Sequence, residues 1–434
     1  VPVNEFWCER AWLDGPADGV LVRCVDGVIT SVDVGVPPAG QRLGGLVFPG
    51  FANAHSHAFH RALRGRTHGG GGTFWTWREG MYRLAERLDP DGYHRLARLV
   101  FGEMVLAGFT CVGEFHYLHH APGGARYADP NAMGAALVEA ARDAGIRMTL
   151  LDTLYLTGGP DTPLAGPQLR FGDGDLDGWR ARVDRLSDTP DVRIGAAVHS
   201  VRAVPAEVLP DMLPDVTARP LHVHLSEQPA ENEACQAKYG CSPTRLLADA
   251  GLLGPSTTAV HATHLSPADI RLLGTAGTIA CFCPTTEADL ADGIGPAREL
   301  ADAGCPIALG TDQHAVVDPL VEARALEYGE RLRTGTRGRF TPAELVTAAT
   351  VAGHRSLGWD AGRIAVGQPG DLVAVRLDSP RTAGCRPDQV ILAADSSDVD
   401  TVVVGGRVVA RDGTHVALGT VGAELAAVVE ELWA

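Results

Sequence analysis

Phe48-Pro49-Gly50-Phe51-Ala52-Asn53-Ala54-His55-Ser56-His57 leads an apolar run through a Pro-Gly step into two histidines one residue apart. In an extended chain alternate side chains point to the same side. His55 and His57 therefore face one direction, as two nitrogen ligands on a single metal would require. A strand end can carry two such histidines by chance. Their meaning rests on whether the rest of the chain supplies the remaining ligands.

Downstream, strand-like and helical patterns alternate. A helical pattern at 93–107 closes at Gly108, a strand follows at 109–115, and a second helix at 130–144 closes at Gly145. Further strands read at 146–155, 192–199, 220–227, 257–264, 278–284 and 306–312, with helices such as 267–276 and 296–303 between them. Eight strands, each followed by a helix, predict an α/β fold of the (β/α)8 TIM barrel type. The two ends read differently. Strands at 19–25 and 28–32 flank Asp26-Gly27, a strong hairpin signal. The far end echoes them at 370–375, 399–404 and 407–409. These short strands predict one small β domain assembled from both termini.

The polar residues fall at strand ends. His55 and His57 end the first strand, His199 the fourth, His222, His224 and Glu227 the fifth, His261 and His264 the sixth, and Asp312 the eighth. In such a barrel the C-terminal strand ends converge on one face, where active sites are built. Histidine nitrogens plus one carboxylate, with a position left for water, form the pattern of a catalytic divalent metal. The expected ligands are His55, His57, His224 and Asp312. His222 could ligate in place of His224, or serve in packing or as a hydrogen-bond partner. The expected ion is Zn2+ or a related divalent metal, since the same shell also suits Fe2+ or Mn2+.

Composition bounds the partners. The 434 residues, 45% hydrophobic and 21% charged, supply core for a large domain plus a smaller one. A net charge of −16 argues against a nucleic acid or an anionic membrane surface. Nine cysteines without a C-x-x-C pair suggest neither a disulfide framework nor a zinc knuckle. Glu5, Glu9 and Arg10 stand where a signal peptide would be apolar, and no segment has the apolar length of a membrane span. A cytoplasmic location is the expectation.

The joint pattern of His55-x-His57, His224 with Glu227 three residues on, His261 and Asp312 resembles the amidohydrolase superfamily, in its branch of metal-dependent aminohydrolases that deaminate C=N carbons. The resemblance covers nearly the whole chain. It implies a barrel at 48–357 carrying a small β-sandwich built from 1–47 and 358–434. It also implies that Asp312 and His261 handle the proton of the attacking water, and that Glu227 passes protons to the substrate nitrogen. Binuclear members bridge two metals with a carboxylated lysine from strand four. Lys238, the only lysine, follows His224 on a predicted helix, so one metal is expected.

Three further stretches, 74–79 (Phe74-Trp75-Thr76-Trp77-Arg78-Glu79, after a Gly-rich loop at 69–72), 114–120 and 198–202, resemble the formiminoglutamate (formimidoylglutamate) deiminase family. Its members convert N-formimino-L-glutamate and water to N-formyl-L-glutamate and ammonia in histidine breakdown. That substrate has two carboxylates, which the planar fork of arginine grips bidentately. Arg78 and Arg202 are the expected anchors, with Tyr117 and His199 as further donors to a small dicarboxylate. Arg78 could instead sit in a surface loop among Phe74, Trp75 and Trp77 at a subunit contact, which keeps a homodimer open. His60 lies near the ligands without an assigned role. His116, His119 and His120 are expected behind the ligands or at the surface. The competing readings are a purine or pterin deaminase of the same branch, acting on guanine or adenosine, and a catalytically silent binding relative.

Overall fold

The computed structural model describes residues 3–69 and 72–434. Gly70 and Gly71 of the glycine-rich stretch, and the Trp75 side chain, lie outside the described residues. The chain opens with β1 (Val3–Trp12), β2 (Pro16–Val25), β3 (Val28–Val34) and β4 (Gln41–Pro49). Between β2 and β3, Asp26 and Gly27 both have positive φ, 50° and 82°, as a tight hairpin turn of the primed type demands.

The barrel strands follow: β5 (Phe51–Ser56), β6 (Phe109–His116), β7 (Arg147–Leu154), β8 (Val192–Val198), β9 (Leu221–Leu225), β10 (Thr257–His261), β11 (Ile279–Phe282) and β12 (Ile307–Leu309). They pair in chain order, every neighbour parallel. β6 and β7 are buried along their whole length, as strands covered on both faces must be. All eight expected strands are present. The helix expected at 130–144 spans Ala132–Ala144, with Gly145 left-handed at its end, and the one at 267–276 is Pro267–Ala276.

Closure of the barrel places the first ligands. The backbone N–H groups of Thr311 and Asp312 donate to the His55 carbonyl at 3.1 and 3.0 Å, and His57 N–H donates to the Asp312 carbonyl at 3.1 Å. Asn53 seals the seam from its side chain, donating to Thr311 Oγ1 at 2.7 Å and accepting Thr311 N–H at 3.0 Å. Only glycine fits at 310, because a Cβ there would lie 2.8 Å from His55 N. His55, His57 and Asp312 thus sit on the two edges that the seam joins.

After the barrel, β13 (Leu372–Val375), β14 (Val399–Val404), β15 (Arg407–Arg411) and β16 (Thr414–His415) complete a mixed sheet in the order β16-β15-β14-β13-β4-β1-β2-β3. Phe6, Val20 and Val22 from one arm share a core with Leu372 and Val403 from the other. Gly370 N–H donates to Gly27 O at 2.8 Å. The arms therefore curl onto one another, giving the small β domain from both termini. The last helix, Val421–Trp433, packs instead on barrel helix Pro90–Leu106. Arg147 of β7 and Asp371 beside β13 form a buried two-pronged ion pair across the two parts, with Nη2 2.6 Å from Oδ1. Removing one partner of such a pair typically costs about 3–5 kcal/mol.

Candidate active site

Four side chains meet at the C-terminal mouth of the barrel. His224 Nε2 lies 3.1 Å from His55 Nε2 and 3.3 Å from His57 Nε2, and Asp312 Oδ1 lies 3.3 and 3.4 Å from the Nε2 atoms of His55 and His57. Four ligands about 2.0–2.1 Å from a tetrahedral ion stand about 3.3 Å apart, so the spacing fits one ion. Hydrogen bonding supplies a stronger argument. His57 Nδ1–H donates to the Phe115 carbonyl and His224 Nδ1–H to the His199 carbonyl, each at 2.9 Å. A carbonyl can only accept, so the proton of each neutral ring is on Nδ1. The two Nε2 lone pairs then face each other with no hydrogen between them, an arrangement that a cation relieves. The backbone carbonyls fix tautomer and orientation, as outer partners of metal-bound histidines commonly do. Burial keeps the rings neutral, lowering His55 to about 3 and His57 to about 4.

Around this cluster the backbone is strained. Five of the nine non-glycine residues with positive φ among the described residues are Ser226, His261, Ala262, Asp312 and His314. Such conformations cost about 1–3 kcal/mol each and gather where a site is built. They swing the chain sharply at the ends of β9, β10 and β12, aiming Glu227, His261 and Asp312 toward one cavity. His261 Nε2 lies 3.9 Å from Glu227 Oε1, and its Nδ1 lies 3.4 Å from Glu287 Oε1. Burial would lower the His261 pKa, but Glu227, Glu287 and Asp312 outweigh it and favour the charged ring. A dication in the cluster would push the other way.

The cavity over the cluster measures about 310 Å³ and reaches His57, His224, His261, Asp312 and Glu227. Arg78, Tyr117, His199 and Arg202, the four expected substrate contacts, also border it. Arg78 does not sit in a loop. It belongs to the helix Phe74–Ala85, capped by Thr73 and Thr76, whose residues Trp77, Arg78, Met81 and Tyr82 share one face toward the cavity. Its guanidinium lies 5.1 Å over the Tyr82 ring. His60 also reaches the cavity and pairs through Nε2 with the Tyr117 hydroxyl at 2.8 Å.

Other sequence candidates are not brought together here. His222 Nε2–H donates to Ser356 O at 2.9 Å, away from the cluster, so of the two β9 histidines His224 alone joins it. His264 holds the Asp292 carbonyl. His116, His119 and His120 are buried in a separate network and not at the surface. Sequence reading missed Tyr155, Glu231 and Glu287. Tyr155 ends the third expected strand, so the strand-end rule could have found it. Glu287 follows the seventh strand by a few residues, as Glu227 follows the fifth. Glu231 lies one helical turn past Glu227, a spacing that alone says little.

Comparison with known proteins agrees with this geometry. The amidohydrolase family model matches residues 46–409. The chain is 36% identical over 433 residues to a formimidoylglutamate deiminase of Pseudomonas aeruginosa, covering 95% of this chain and 93% of that protein. It is 32% identical over 381 residues to an 8-oxoguanine deaminase of the same organism, covering 85% and 83%. Among solved structures, an amidohydrolase from Brucella melitensis superposes with TM-score 0.89 at 31% identity, over 99% of this chain and 100% of that one. An adenosine deaminase from Xanthomonas campestris with bound zinc, 24% identical, shares the fold with TM-score 0.85 over 99% and 97%. Among the described residues no helix is long and apolar enough to cross a membrane. With this metal-fitting cluster at the mouth of a barrel matched over nearly its whole length, the chain belongs to the amidohydrolase family, as a hydrolase acting on C–N bonds.

Proposed function

We propose that the protein deiminates N-formimino-L-glutamate, releasing ammonia and N-formyl-L-glutamate. The observation that carries this reading is the pair of guanidinium groups, Arg78 and Arg202, bordering the cavity that also holds the ligand cluster and Glu227. A dicarboxylate needs two such forks. A purine ring, being neutral, needs neither. The substrate's amidinium end is a cation, matched by the carboxylates of Glu227 and Asp312.

His55, His57, His224 and Asp312 would hold one divalent ion, with zinc the proposed identity. Such an ion lowers the pKa of bound water from about 15.7 to roughly 7. The chain's own groups do the rest. Asp312 and His261 take the proton of the attacking water as its oxygen joins the formimino carbon. Glu227 takes the remaining proton of that oxygen and delivers it to the terminal nitrogen, and the C–N bond then breaks to release ammonia as the oxygen becomes the formyl carbonyl. Tyr117 and His199 hold the substrate from the side of β6 and β8. Acid–base assistance of this kind is worth about 10²–10⁴-fold.

The test compares ammonia release by the metal-loaded protein from N-formimino-L-glutamate, guanine and adenosine. Strong preference for the formimino acid is the expected result, and Arg202→Met should then raise KM sharply. Turnover of a purine alone would discard the dicarboxylate pocket. It would favour the second reading, to which the similarity with an 8-oxoguanine deaminase gives weight.

A further inference from the structure

We infer that Glu231 is the positioning residue that aims Arg202 at a substrate carboxylate and fixes the turn that presents Glu227; the inference rests on the dicarboxylate reading above. Glu231 stands in the first turn of helix Pro229–Tyr239 and is 1% exposed. A carboxylate that deep is costly unless its partners are dedicated to it. Both of its oxygens face the working end of the site. Oε1 accepts the backbone N–H of Ser226 at 2.9 Å. Ser226 has φ 51° and links the last residue of β9 to Glu227, so this bond holds the strained step from which Glu227 projects. Oε2 lies 2.8 Å from Arg202 Nε, in charge contact without hydrogen-bond alignment.

Arg202 is thereby gripped at its Nε corner, while Nη2 lies 3.5 Å from Glu227 Oε2. Its side chain keeps 19% of its surface open, and the residue borders the cavity. A guanidinium held at Nε offers its Nη edge to a carboxylate, the two-pronged geometry that arginine uses for such ligands. One buried glutamate thus sets the direction of the anchoring arginine and the footing of the proton-transfer carboxylate.

Glu231→Gln separates the two tasks. The amide oxygen can still accept Ser226 N–H, but the charge facing Arg202 is gone. With N-formimino-L-glutamate, KM is expected to rise about 10–100-fold, the loss appropriate to a charge-assisted contact, with kcat within about threefold of wild type. In the Arg202→Met background the same change should add nothing further to KM. Glu231→Asp, which keeps the charge but sets it back by one methylene, should raise KM by at least about threefold yet by less than Glu231→Gln does. An unchanged KM in a folded Glu231→Gln protein, or full additivity with Arg202→Met, overturns the inference. If the Gln variant does not fold, Glu231→Asp is compared with wild type alone: a KM raised at least about threefold supports the role, and an unchanged KM overturns it. Wild-type protein that releases ammonia only from purines removes the dicarboxylate reading and this inference with it. A Glu231 variant that behaves as wild type on the formimino acid removes the inference alone.

Discussion

Among the described residues two buried histidine–aspartate clusters lie within the barrel, and their difference explains why one suits a metal. In His55, His57, His224 and Asp312 the Nε2 atoms of His57 and His224 face one another with no hydrogen to share. In the second cluster, of His116, His119 and Asp152, the two ring nitrogens that face one another can share a hydrogen. His119 Nε2–H donates to Thr153 O at 3.0 Å, so its Nδ1 accepts from His116 Nε2 at 3.3 Å. Asp152 is taken already, by Arg182 at 2.5 and 2.8 Å and by Trp179 Nε1 at 3.1 Å. The same guanidinium also holds Asp173, which receives His120 Nε2–H at 3.0 Å. The second cluster carries its own cation in the form of Arg182. The first contains no such arginine, and its four ligand atoms stand at the spacing that a single divalent ion needs. Residue types and proximity alone would not separate them.

The largest effect that would sharpen this contrast is on catalysis. Glu227→Gln should lower kcat by about 10²–10⁴-fold while metal content by elemental analysis stays near wild type. Loss of metal with an undiminished rate in the remainder would remove Glu227 from proton transfer. On the other side, Arg182→Met strips the second cluster of its internal cation and takes the guanidinium from two buried carboxylates, Asp152 and Asp173. Chemical unfolding should report a loss of about 3–5 kcal/mol with metal content unchanged. A variant that stays stable would mean the network is not what holds these strands. The smallest effect concerns pH. Asp173 is buried, which would raise its pKa, but His120, His119 and Arg182 hold it below the usual carboxylate range. Its stabilising contribution is therefore fully present above the unfolded value of about 3.9 and is lost as pH falls through the folded value. The stability gap between wild type and Asp173→Asn should stay constant from pH 8 to pH 5 and narrow only below about pH 4.

Much of this was legible in the residues. The strand-end histidines and Asp312 identify the metal face because barrel strands are short, regular and run the same way, so sequence position converts directly into place. The Asp26-Gly27 hairpin was readable because its turn chemistry is local. The orientation of Phe74–Ala85 was not, since Arg78 as a loop or helix residue depends on a cap at Thr73 and on packing from a distant part of the chain. The burial of His116, His119 and His120 was equally hidden. It follows from Arg182 and Asp173, more than fifty residues away in sequence. The turning of His222 away from the cluster came down to one acceptor, Ser356 O, which no local pattern announces.

The contrast predicts that the first cluster binds a divalent ion and the second does not. It is tested by metal stoichiometry in wild type, His57→Ala and His119→Ala, each measured alongside ammonia release. One ion per chain in wild type and His119→Ala, with ion and activity lost together in His57→Ala, is the expected result. Two ions per chain, or an ion that depends on His119 and not on His57, would contradict it.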